Sequence, residues 1–273
     1  MTNLLMSSWI RGQFLWLFIL ASVSNVVPVL GQTETPAQST SARGLPLLKT
    51  AREIHRLSRE ESKRGYPVAI QGIVICSNPP HRLFFIQDET AGIYVYLTSE
   101  GPWPQLGDRV KITGETAPGN FARIVLNPVI TVLGKGELPV ARSASYDQIL
   151  NGNLDSQWVT VQGVLRWHGD SDANEEFEIS SGSYHFKLFF HRPGTGRIAE
   201  HIGAEIRVRG VVGSQFSNDL KLLGFHLYVN TDEDVEVIEA APEDPMSLPL
   251  VDTSDLFTAR PLGHAHRLIK IKG

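Results

Sequence analysis

Six residues in the first half of the chain are of types that recognise planar ligands: Arg82, Phe85, Gln87, Tyr94, Tyr96 and Arg123. Four of them sit in two alternating segments, Leu83-Phe-Phe-Ile-Gln-Asp88 and Gly92-Ile-Tyr-Val-Tyr-Leu97. Read as strands with period 2, these segments turn Phe84, Ile86, Ile93, Val95 and Leu97 towards a core. The same alternation turns Phe85, Gln87, Tyr94 and Tyr96 outward. Arg82 and Arg123 fall beside that outward set. Aromatic rings with guanidinium groups make a stacking platform for bases or sugars. The competing expectation is that the preceding helix, or a neighbouring module, packs over these rings.

Other chemistries find little support. The stretch Asp170-Ser-Asp-Ala-Asn-Glu-Glu176 begins like a calcium loop. It then places Glu175 where such a loop turns on glycine, and Ser181 where it needs a carboxylate. A solvated acidic hairpin loop is expected there, and another acidic turn at Thr231-Asp-Glu-Asp234. His185 and His191 share a strand face but stand about 20 Å apart along it. His264 and His266 have no cysteine or carboxylate spaced to complete a metal site. No nucleophile elbow, zinc-protease pair or glycine-rich phosphate loop occurs. The expectation is a non-enzymatic protein with no metal and no cofactor. Cys76 is the single cysteine, so no intrachain disulfide exists. Its apolar context, Ile73-Val-Ile-Cys76, predicts a small buried hydrophobe.

The elements that position these residues come from a repeat. Tyr66-Pro-Val-Ala-Ile-Gln-Gly72, Trp158-Val-Thr-Val-Gln-Gly163 and His266-Arg-Leu-Ile-Lys-Ile-Lys-Gly273 share one phrase. Gly107-Asp-Arg-Val-Lys-Ile-Thr-Gly114 and Gly203-Ala-Glu-Ile-Arg-Val-Arg-Gly210 share another, 96 positions apart. Self-similarity at this period implies repeated β-modules. In the first, strands are expected at 67–76, 82–87, 92–97, 108–114 and 123–133. In the second they are expected near 158–167, 175–180, 184–190, 204–212 and 220–229, with a last extended piece at 234–239. Turn residues separate them. Five short strands and no long helix predict a mostly β fold of small five-stranded Greek-key barrels. A helix is expected before each: 47–63, with a restart at the Ser58/Glu61 capping box, then 143–150, then 252–259 before a third unit.

The domain reading is therefore an N-terminal segment at 1–31, linker and helix at 32–65, barrel one at 66–142 and a connecting helix at 143–157. Barrel two follows at 158–240, then a Pro-rich linker and the first strand of a third unit at 241–273. No strands follow that last one, so the expectation is that the native polypeptide continues or that this is a truncated reading frame. Arg11 and the apolar run Phe14–Ala21 read as an export signal cleaved before Gln32. The alternative is an uncleaved anchor, which would be the one membrane contact. Both predict an extracytoplasmic location, periplasmic or secreted. The chain carries a net charge of −4, and the 143–240 segment alone carries −8. That acidity argues against a continuous nucleic-acid track.

A five-stranded barrel with a Gly-Asp-x-Val-x-Ile-x-Gly fourth strand resembles an OB-fold. The stretch from Thr50 to Val74, Leu83–Asp88, Gly92–Leu97 and Asp155–Gly163 is similar to the extracytoplasmic N-terminal region of bacterial sensor histidine kinases. That resemblance covers about residues 45–273 and implies tandem OB-like modules serving as a sensory input. No phosphoacceptor segment or ATP-binding glycine box is present in this sequence. The expected function is thus an exported, non-enzymatic tandem OB module that binds an unknown small ligand or protein partner for a larger signalling protein. The alternatives are an exported nucleic-acid- or oligosaccharide-binding protein, and a structural spacer.

Overall fold

The computed structural model describes residues 44–97, 103–119, 122–171, 174–181, 184–190, 197–217, 219, 221–248, 250–252 and 270–271. The expected export segment, the tether, His191, His264, His266 and nearly all of the third helix lie outside the described residues. Those described belong to one compact unit, 40–273.

Two short helices open that unit, α1 (Ala51–Arg56) and α2 (Arg59–Ser62). The restart expected at the Ser58/Glu61 capping box is present. Leu57 is extended, with φ −63° and ψ 140°, and Ser58 starts a new helix with its own capping box. Thr50 and Glu53 form a second capping box at the start of α1. Each cap satisfies otherwise orphaned N–H groups, typically worth about 1 kcal/mol.

The first barrel comprises β1 (Pro67–Asn78), β2 (Leu83–Gln87), β3 (Gly92–Tyr94), β4 (Asp108–Ala117) and β5 (Ile124–Lys135). Their order in the sheet is β3-β2-β1-β4-β5. A parallel bridge between Val95 and Val125 closes it. β1 pairs with β4 through 67–73 and with β2 through 73–78. A register shift between Val74 and Cys76 marks the bulge that lets one strand bend between both partners.

The second barrel repeats this plan. After β6 (Arg142–Ser143) and α3 (Tyr146–Leu150) come β7 (Trp158–Ser171), β8 (Asn174–Ser181), β9 (Tyr184–Phe190), β10 (Glu205–Phe216), β11 (Leu222–Val229) and β12 (Val235–Glu239). β7 pairs with β10 and β8, and the parallel β9–β11 pair closes the ring. Its bulge falls between Leu165 and Trp167, 91 positions after that of β1. The repeated phrase ends at Gly72 and Gly163, also 91 apart. A Cβ on Gly72 would stand 2.7 Å from Gln87 O, and one on Gly163 would press on Ser180 O. The glycine closing each phrase is therefore required by close strand approach. Both modules are OB-type barrels: mostly β, five-stranded, with the first strand shared and the third and fifth parallel.

A parallel contact precedes each unit. Leu48 bridges Val68, and Arg142 pairs with Val159. The pair β13 (Leu250–Val251) and β14 (Lys270–Ile271) makes the same kind of contact between the same parts of the repeat. The helices pack as their apolar faces dictate: Ala51 and Ile54 join the first barrel's core, and Ile149 joins the second's.

Candidate functional site

The alternation read from β2 and β3 holds. Phe84, Ile86, Ile93 and Val95 are fully buried inside the first barrel. Phe85 points the other way, yet it is only 5 % exposed. The second barrel covers it. Ile75, Cys76, Phe85, Trp158 and Val211 form a small apolar cluster at the seam between the barrels, with Tyr94 and Tyr228 at its margin. Polar ties cross the same seam. Asn230 Nδ2 donates to Ile75 O at 3.0 Å, and the Trp158 amide donates to Gln87 Oε1 at 3.0 Å. The Gly92 amide donates to Gln157 Oε1 at 3.1 Å.

Gly92 lies at the tightest point of this joint. A Cβ there would sit 2.8 Å from Ser156 C and 3.2 Å from Gln157 Cα, and closer still to Ser156 O. Only a residue without a side chain lets the β2–β3 turn lie against the 151–157 loop. Asp88 anchors the turn. Its Oδ1 accepts from the Thr90 amide, the Thr90 hydroxyl and the Ala91 amide, and its Oδ2 accepts from the Ala51 amide at 2.7 Å. His55 Nε2, from α1, donates to Gly92 O at 2.7 Å.

Two cavities flank the joint. The first, about 360 Å³, is an aromatic groove lined by Phe85, Tyr94, Tyr96 and Ile124 of barrel one and by Ser214 and Tyr228 of barrel two. Rings run in a row across the seam. Centroid separations are 6.4 Å for Tyr96–Tyr94, 5.1 Å for Tyr94–Phe85, 5.8 Å for Phe85–Tyr228 and 4.6 Å for Tyr228–His226. The Tyr94 hydroxyl donates to Arg82 O at 2.8 Å. Burial, then the neighbouring Tyr96, pushes the Tyr94 phenol up to about 12. Burial also raises the Tyr228 phenol. Both rings present themselves as neutral stacking surfaces.

The second cavity, about 370 Å³, is cationic. Arg52 and His55 come from α1, Arg123 from the approach to β5, Arg142 from β6, and Asp155 and Gln157 from the loop before β7. Ala122 and Asp155 line both cavities, so the two adjoin. Asp155 is held within barrel two: Oδ1 accepts from the Ser214 amide at 3.1 Å and Oδ2 from the Ser156 hydroxyl at 2.9 Å. Burial outweighs those bonds and raises its carboxyl above the usual range.

No family model matches the chain, and no curated protein matches it. Solved structures resemble it at low identity. Fission yeast Pot1 with single-stranded DNA is 11 % identical, with a TM-score of 0.32, over 72 % of this chain and 89 % of that one. The Ifi202 HINa domain with double-stranded DNA is 8 % identical, with a TM-score of 0.32, over 64 % of this chain and 96 % of that one. Asparaginyl-tRNA synthetase from Pyrococcus horikoshii is 20 % identical, with a TM-score of 0.27, over 34 % of this chain and only 22 % of that one. Likeness at this level concerns the fold alone.

The six residues singled out from sequence are dispersed by the structure. Phe85, Tyr94 and Tyr96 meet in the groove. Arg123 lines the adjoining cationic cavity instead. Arg82 lines neither cavity; its backbone carbonyl accepts from the Tyr94 hydroxyl. Gln87 corrects the expectation of an open outward residue: its carboxamide oxygen accepts from the Trp158 amide across the seam. For Phe85 the competing expectation, cover by the neighbouring module, is what the structure shows. Sequence reasoning missed Tyr228, Arg52 and Arg142. Tyr228 was within reach, since alternation along Phe225-His-Leu-Tyr-Val229 turns His226 and Tyr228 away from the second core. The arginines carry no such signal, because their meeting depends on how the barrels dock. Among the described residues no three His, Cys, Asp or Glu side chains converge as metal ligands would.

Proposed function

We propose that this chain is a tandem OB ligand-binding module, acting outside the cytoplasm as the sensory input of a larger signalling protein. One observation carries the reading: the aromatic groove is walled by both barrels, so an occupant contacts Tyr94 and Tyr96 on one side and Tyr228 on the other. Binding there is coupled to the angle between the barrels, and a change in that angle can be passed along the chain. The resemblance to sensor-kinase input regions and the apolar N-terminal segment support the signalling context. Catalysis has no role in this reading.

NMR titration of the intact protein with adenosine and with a maltooligosaccharide tests it. The expected result is saturable shifts at Tyr94, Tyr96 and Tyr228 together with the seam amides of Gly92 and Trp158, lost in Tyr94→Ala. Shifts confined to surfaces away from the seam would overturn the reading. Aromatic rings beside arginines also suit a nucleic-acid strand. Tight oligodeoxythymidylate binding that weakens steeply with salt would move the assignment to that alternative.

A further inference from the structure

The cationic cavity is unusual for this chain. The protein as a whole carries −4, with twenty-nine acidic and twenty-five basic residues. Around this one cavity, Arg52, Arg123 and Arg142 face a single carboxylate, Asp155. That carboxylate is not the arginines' partner, because both its oxygens accept bonds from Ser156 and Ser214. Nor are the guanidiniums fully consumed elsewhere. Arg123 Nε is buried without a hydrogen-bond partner among the described residues. Arg142 is exposed and lines the cavity, as does Arg52, which spends only Nη2 on Thr90 O at 2.8 Å. A buried guanidinium N–H without an acceptor is a standing cost that a ligand oxygen removes.

We infer that this cavity is an oxyanion site and that the ligand of the seam is a ring-bearing phosphate monoester. Its phosphate sits among Arg52, Arg123 and Arg142, and its ring lies in the adjoining groove over Tyr94 and Tyr96. This rests on the reading of the groove as a ligand site. Three guanidiniums against one carboxylate leave a formal charge of +2 at the cavity, which a dianionic monoester neutralises and a carboxylate does not. Arginine forks match the oxygen spacing of phosphate. The shared lining at Ala122 and Asp155 sets ring and phosphate sites side by side, as one small molecule needs. A volume of about 370 Å³ is at the small end of ligand pockets, ample for a phosphate with its first-shell water. Both barrels and the link between them contribute guanidinium or loop groups, so the site exists only in the docked pair.

Calorimetry on the intact protein decides the matter, with adenosine 5′-monophosphate, adenosine and inorganic phosphate as probes. The monophosphate is expected to bind at least about tenfold more tightly than adenosine or inorganic phosphate, one good charge-assisted contact being worth about that factor. Its affinity should fall below about pH 6, where the monoester takes up its second proton. Arg123→Gln and Arg142→Gln should each weaken the monophosphate about tenfold and leave adenosine unchanged. Arg142 is exposed, so its variant keeps the fold even if Arg123→Gln does not. Equal binding of adenosine and its monophosphate, with neutral arginine variants, overturns the oxyanion site but leaves the groove standing. No binding of any probe overturns both. Oligodeoxythymidylate binding far tighter than the monophosphate overturns the small-ligand assignment in favour of a strand.

Discussion

Replacing Gly92 by alanine exchanges one hydrogen for a methyl group at the point where the barrels touch. The backbone at Gly92 is not in the left-handed region, so alanine brings no conformational strain of its own. The effect is purely steric. The new Cβ would stand 2.8 Å from Ser156 C and 3.2 Å from Gln157 Cα, against the 3.4–4 Å of ordinary contact, and nearer still to Ser156 O. These are backbone atoms, so no side chain can rotate away. The loop at 151–157 must retreat on the order of an ångström, as overpacked sites do. That retreat stretches the two Gln157 contacts to Gly92, now 3.1 and 3.5 Å, and the Trp158–Gln87 bond at 3.0 Å. Losing about two such bonds costs about 1–2 kcal/mol, and loosened packing around Trp158 and Phe85 adds about 1–2 kcal/mol. The total is about 3 kcal/mol, a fall in Tm of about 6–12 °C for a protein of this size. Differential scanning calorimetry reads it. Fluorescence of Trp158, now 2 % exposed, should shift to longer wavelength as the seam opens. A Tm within about 1 °C of the parent, with unchanged fluorescence, would refute the claim that this contact sets the joint.

Four further outcomes follow from named contacts. Asn230→Ala leaves Ile75 O buried without its donor and should cost about 1–3 kcal/mol in urea unfolding, whereas a neutral result would show that water replaces the amide. His226 is driven down to about 4 from 6.5, first by burial and then by Lys187, so it folds neutral. Its contribution to stability is present above pH 6.5 and lost as pH falls towards 4, amounting to about 3 kcal/mol in that window; His226→Gln should flatten the pH dependence of Tm there. Asp155 behaves oppositely, because its carboxyl is raised. Its penalty is full at neutral pH and vanishes below the ordinary carboxylate range, so Asp155→Asn should match or exceed the parent Tm at pH 7 and lose that advantage in acid. The Cys76 thiol is fully buried and raised by burial alone, so a thiol reagent should modify none of the folded protein and one equivalent in denaturant.

Much of the fold could be read along the chain because local rules govern it. Alternation placed Phe84, Ile86, Ile93 and Val95 inside, and glycine-terminated phrases marked where strands bend. The capping box at Ser58 and Glu61 is a local pattern, so the restart of the helix there was legible as well. The candidate site was legible in part. Tyr94 and Tyr96 were found because their strand is short and strictly alternating. Phe85 and Gln87 were placed on the correct face, and the choice between an open platform and cover by the neighbouring module stayed open, since outward from one barrel is inward to a seam.

The sequence alone determined the repeat, the two faces of β2 and β3 and the helix restart at the Ser58 capping box. Each depends on residues within a few positions of one another, or on a pattern copied 91 positions later. Only the tertiary structure decided how the barrels dock. That docking turns Phe85 into seam core, carries Tyr228 into the aromatic row, and gathers Arg52, Arg123 and Arg142 around one cavity. Those three arginines span ninety positions of chain and obey no common period. Their proximity follows from a contact as small as a missing side chain at Gly92 against the backbone of Ser156, which no local pattern encodes.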